Sequence, residues 1–212
     1  MSRLALWIEF LLLFVGMPLG YRFSPQPISA LPVLWVAALY CWWQLRRDPE
    51  FSRTLLWNPK PVMGQLPSIL LCFLVVGAAI WVGVRMVAPG ILFSFVRARP
   101  VLWALVMVLY PVLSVYPQGI IYRSFLMHRY APLLPQGLAI IIASAAAFAF
   151  MHIIFRNPLA VALTFFGGLL FAWRYSATGS LFTCSLEHAL YGCWLFTVGL
   201  GQYFYHGRIA LK

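Results

Sequence analysis

The sequence predicts an all-α fold, a polytopic membrane bundle of about seven helices within a range of six to eight, since each span consumes about 20 apolar residues. Composition is the first observation: 63% of the 212 residues are hydrophobic and only 9% are charged, where soluble domains carry roughly 25% charge. Mean hydropathy, +0.89 over the chain, is the second. The third is pattern, because the apolar residues form long runs and the strand alternation of a membrane barrel is absent. Inside hydrocarbon such runs must satisfy their own backbone groups as helices. A single integral-membrane domain, 1–212, accounts for the length, and no separate soluble domain fits.

The elements follow in order. Residues 4–21 have Arg3 before an apolar core, yet Glu9 interrupts the core and no small-residue cleavage site follows, so a retained first helix is expected. A Pro-rich break, Phe23 to Pro27, leads to a second span over 28–45, stopped by Arg46, Arg47 and Asp48. The polar stretch from Arg46 to Gln65, with Pro59 and Pro61 as breakers, is a surface loop. A third span covers 67–87 with a continuation toward Phe95, and a fourth runs from Val101 to Arg123. Spans over 136–155, 158–173 and 180–203 complete the bundle, separated by Arg156 with Asn157 and by the break from Arg174 to Gly179. Arginine and lysine fall on both sides of this arrangement, so the positive-inside excess is small and does not by itself orient the chain. The expected location is a bacterial inner membrane, crossed several times.

The formal charge of +11, from fifteen basic side chains against four acids, suits anionic lipid headgroups. Nucleic acid is excluded as a partner, because no soluble basic face follows a phosphate backbone. Cys41, Cys72, Cys184 and Cys193 lie in apolar segments without the paired spacing of a zinc site, and read as packed thiols.

Ionisable residues inside apolar runs are the best indicators of chemistry, because a bilayer tolerates them poorly. Arg123 closes the fourth run, with Gln118 and Gly119 upstream; positions 119 and 123 are one turn apart. In the fifth run Phe148 and His152 share the same spacing, and the last run holds Glu187, His188 and Gly192. Glu187 is the only acid in the last four spans. It is a compensating base or the ion-pair partner of Arg123 or Arg174. His128 beside Arg129 is interfacial, His206 belongs to a polar tail, and Glu9 is paired with an arginine or protonated.

In these residues the chain resembles the CAAX protease and bacteriocin-processing (CPBP) enzymes, a membrane family that includes lysostaphin-resistance proteins. That family carries Glu-Glu-x-x-x-Arg, then Phe-x-x-x-His, then His-x-x-x-Asn, on successive helices. Arg123, Phe148, His152 and His188 match in order and separation, within a core region over 100–195. Gln118 and Gly119 stand where the family has its glutamates, and Gly192 stands where it has asparagine.

The resemblance implies an intramembrane endopeptidase acting on membrane-associated peptides or proteins. A glutamate would activate water while the histidines orient it, with Arg123 as electrostatic organiser, Gln118 as a polar contact, and Phe148 and Gly192 shaping the site. Glycine accepts no proton and an amide has no useful basicity. The alternatives are a catalytically silent relative that binds a transmembrane partner or confers bacteriocin immunity, and a small proton-coupled transporter. The residues imply no cofactor beyond a divalent metal held by His152 and His188, a poor zinc site without a nearby acid.

Overall fold

The computed structural model describes residues 2–25, 29–135 and 137–204; His206 and the start of the fifth expected span at Gln136 lie outside them. Five helices are long and apolar enough to cross a membrane: α1 (Arg3–Arg22), α3 (Val62–Val87), α4 (Pro100–Arg129), α5 (Leu138–Phe155) and α6 (Pro158–Thr178). Two more, α2 (Ala30–Arg47) and α7 (Leu181–Val198), have 18 residues each. They are less apolar because α2 ends in two arginines and α7 carries Glu187 and His188. The chain is an integral membrane protein, an all-α bundle whose outer faces expose side chains such as Leu71, Leu74 and Val75.

Several boundaries move from those the sequence suggested. The sixth span does not stop at residue 173, because Arg174 is wholly buried and paired inside the bundle, so α6 continues to Thr178. The fourth does not end at Arg123; its last turns run to Arg129, whose guanidinium reaches Glu9 of α1 at 3.1 Å. The seventh ends at Val198, where Gly199 takes a φ of 99° and lies against the carbonyl of Ile91, leaving no place for a side chain. The polar loop after α2 is not wholly a surface segment. Phe51 and Leu56 are buried, Tyr116 of α4 donates to the Leu56 carbonyl at 2.9 Å, and Ser180 donates to the carbonyl of Asn58.

Proline shapes α4. Pro111 and Pro117 lack an N–H, so the carbonyls of Met107 and Leu113, four residues earlier, lose their helical donors. Trp35 of α2 donates its indole N–H to Leu113 at 3.0 Å, which joins α2 to α4 at that point. The same helix contains wide π turns at Pro111–Val115 and Ile120–Phe125, the second holding Arg123; such turns are common at functional sites. Small residues bring α5 and α6 together: a side chain at Gly168 would meet Ala145 at 3.0 Å.

Candidate active site

Three helices deliver the matching residues to one aromatic box. Phe148 of α5 is its centre: the Arg123 guanidinium lies 4.3 Å from its ring centroid, His152 4.7 Å and His188 5.6 Å. Phe171 of α6 forms a second wall. It stacks on His188 at 4.4 Å with planes 19° apart, and Arg123 lies 5.6 Å from its centroid. Arg123 is 0% exposed, while His152 and His188 retain 9% and 6%.

Hydrogen bonding orients His152. Its Nδ1 sits 2.7 Å from the carbonyl oxygen of Phe148. A carbonyl only accepts, so Nδ1 carries the hydrogen and the neutral ring leaves its lone pair on Nε2. The π turn and the helix spacing thus bring the two imidazoles and the guanidinium together, as the sequence pattern suggested.

Gln118 does not join them through a bond; its amide donates to Ser114 on the same helix at 2.7 Å. At Gly119 a Cβ would stand 2.7 Å from Leu181 Cδ1 and 3.3 Å from Ser185 Oγ, both on α7. The room for a side chain at this position is filled by the end of a leucine. At Gly192 a Cβ would stand 2.3 Å from Cε1 and 2.4 Å from the hydroxyl oxygen of Tyr110, whose ring also meets the His188 ring edge-on at 6.4 Å. An aromatic ring from α4 therefore occupies the space of a side chain at that position.

Glu187 points away from this box. Both its oxygens accept from Arg174, at 2.7 Å from Nε and 3.0 Å from Nη2, with both side chains fully buried. Arg174 Nη1 also donates to Gln65 and, at 2.9 Å, to Ser68, so the pair ties α7 and α6 to α3. Of the roles open to Glu187, the structure shows the ion pair with Arg174. Each of its oxygens accepts from Arg174, so its hydrogen bonds run to α6 and not to the histidines.

The remaining acids are placed as well. Glu9 pairs with Arg129 and accepts from Tyr40 at 3.2 Å; Asp48 pairs with His128 at 2.9 Å; Glu50 is exposed beyond the end of α2. The His128 hydrogen bond, with a backbone N–H from Glu50, holds the Asp48 carboxyl below its ordinary range. The chain has four acidic side chains, and none is left for Arg123. Among the described residues its three guanidinium nitrogens have no oxygen or nitrogen acceptor, and the Cys184 sulfur, a weak acceptor, is the polar group beside them. Two aromatic faces contribute about 2 kcal/mol or more each to a desolvated cation, which offsets part of the several kcal/mol needed to desolvate an ion but supplies no acceptor for its N–H groups.

The site does not fit a divalent metal. Among the described residues no three His, Cys, Asp or Glu side chains converge, and a dication held by His152 and His188 would lie beside the buried guanidinium. The residues not anticipated from sequence are Phe171, Tyr110, Leu181 and Ser185. Ser185 stands one turn before His188 and had a readable signal in that spacing; the others come from different helices and had none.

An apolar groove of about 330 Å³ is lined by Phe73, Pro111, Leu186, Ala189, Cys193 and Trp194 among others, and by no residue of the box. It lies on α7 between α3 and α4, next to His188 and Tyr110 in the chain. Residues 99–194 match the family described as Rce1-like, Type II CAAX prenyl endopeptidase Rce1-like. No curated protein and no solved structure matches the chain.

Proposed function

We propose, from the match of residues 99–194 to the Rce1-like family of type II CAAX prenyl endopeptidases, a specific reading of this chain. It is an intramembrane endopeptidase scaffold that takes a membrane-associated peptide or protein against His152, His188 and Arg123, and its hydrolytic step requires a carboxylate that position 119 does not supply. The observation that carries the reading is the shared Phe148 wall, which holds both imidazoles and the guanidinium within 5.6 Å of one ring centroid. A peptide carbonyl placed there meets His152 Nε2 as a water-orienting acceptor and Arg123 as a cation for developing negative charge.

A second reading, a silent relative that binds its partner without cleaving it, is favoured by the filled spaces at Gly119 and Gly192. Peptide cleavage in proteoliposomes separates the two. The parent chain is expected to be inactive, and Gly119→Glu with Leu181→Ala, which clears room for the new side chain, is expected to cleave. Adding His152→Ala should abolish that activity. Cleavage by the parent at the same rate overturns the need for a carboxylate at 119; inactivity of the folded double variant overturns the protease reading in favour of the binding one.

A further inference from the structure

We propose that Arg123 is the anchor of a carboxylate-binding site, and that the carboxylate comes from outside the chain. Arginine stays protonated in any protein environment, and a buried cation calls for an anionic or hydrogen-bonding partner. Each acidic side chain of the chain is committed or exposed elsewhere: Glu9 to Arg129, Asp48 to His128, Glu187 to Arg174, and Glu50 to solvent. Cys184 donates its thiol hydrogen to the Phe171 carbonyl at 3.2 Å and offers Arg123 only its sulfur, a weak acceptor.

A second feature marks where the ligand sits. Ser185 Oγ is buried without a hydrogen-bond partner among the described residues, and it lies 3.3 Å from where a Cβ of residue 119 would stand. Residue 119 is one helical turn from Arg123. Guanidinium and hydroxyl are thus orphan donors on facing helices, α4 and α7. A planar guanidinium fork matches a carboxylate in two parallel hydrogen bonds, and a serine hydroxyl completes such a site with a third. The space between is held by Leu181 Cδ1, the end of a side chain that opens by a change of rotamer. The ligand class is a carboxylate, either a small free acid or the C-terminus of a peptide.

The test is thermal unfolding of the full chain in detergent with sodium formate, against sodium chloride at equal ionic strength. Formate should raise Tm saturably, by about 3–5 °C at ten times its half-saturating concentration. Arg123→Met, which removes the cation and keeps an apolar side chain, should lose the rise. Gly119→Glu with Leu181→Ala, which brings a carboxylate of its own into the cleared space, should lose it too, while Leu181→Ala alone keeps it. Short apolar peptides with a free or amidated C-terminus identify the source. A rise with the free-acid peptide alone, at concentrations below those needed for formate, supports peptide termini; a rise with formate and with neither peptide supports small acids. Absence of any carboxylate response beyond chloride, or a response that persists in Arg123→Met, overturns the proposal. These readouts need no cleavage, so they stand or fall separately from the protease reading.

Discussion

Glu187→Gln is the most direct probe of how the interior is held. The wild-type carboxylate accepts two charge-assisted hydrogen bonds, at 2.7 and 3.0 Å, with neither partner exposed. The amide keeps one acceptor oxygen but turns an NH2 toward the guanidinium, and Arg174 becomes a buried cation without a counterion. Removing one partner of a buried pair costs about 3–5 kcal/mol. Arg174 keeps its contacts to Gln65 and Ser68, which places the expected loss near the lower end, about 3 kcal/mol. The assay is reversible denaturant unfolding of the purified protein in detergent, followed by tryptophan fluorescence. Replacing both partners, Arg174→Met with Glu187→Leu, removes both desolvation penalties and should cost less than the single change. A Glu187→Gln variant within about 0.5 kcal/mol of the parent, the range of an ordinary surface substitution, would refute the assignment of this pair as the tie between α6 and α7.

Other outcomes follow from single contacts. Gly192→Ala should destabilise by about 1–3 kcal/mol, because its Cβ would stand 2.3 Å from Tyr110 Cε1; the same change should cost less in a Tyr110→Ala background in the same unfolding assay. Asp48 has a depressed carboxyl pKa from the His128 hydrogen bond. Its contribution is therefore complete above the unfolded carboxylate value of about 3.9 and disappears as pH falls through the lower folded value. The difference in stability between parent and Asp48→Asn, about 1 kcal/mol or less for a partly exposed pair, should shrink over that acid window. Trp35→Phe should cost about 1 kcal/mol by leaving the Leu113 carbonyl without its donor. The same change in a Pro117→Ala background should cost less, since residue 117 then supplies the helical N–H, and a double-mutant cycle measures the coupling.

Much of the architecture was legible because hydrocarbon imposes a simple rule on the backbone. Long apolar runs had to be helices, and the approximate spans at 28–45, 101–123 and 180–203 correspond to α2, α4 and α7. The boundaries failed where a charged residue was read as a break. Arg174 looked like a loop residue, yet Glu187 thirteen positions later neutralises it, and sequence alone does not reveal which buried charges meet. Arg123 and the two histidines were legible through their order and spacing. The fillers of the two vacant positions were not: Leu181 and Tyr110 are ordinary apolar and aromatic residues until three-dimensional packing sets them against glycines. The orientation of Glu187 was equally hidden, since it is adjacent in sequence to His188 but about 100° away around a helix.

That 100° separates structure from chemistry in α7. Glu187 meets Arg174 and His188 meets Phe171, two positions one turn apart on α6. The ion pair and the imidazole stack therefore fix the same rotation of α7 against α6. A carboxylate recruited from Glu187 as a base would have to break this arrangement, turning the helix and moving His188 off Phe171 in the same motion. The scaffold can keep its histidines in place or turn Glu187 toward them, but rigid rotation of α7 does not do both. A base for the reaction must come from another position, and position 119, across from Ser185 and one turn from Arg123, is where the packing of α4 and α7 brings the complementary donors together.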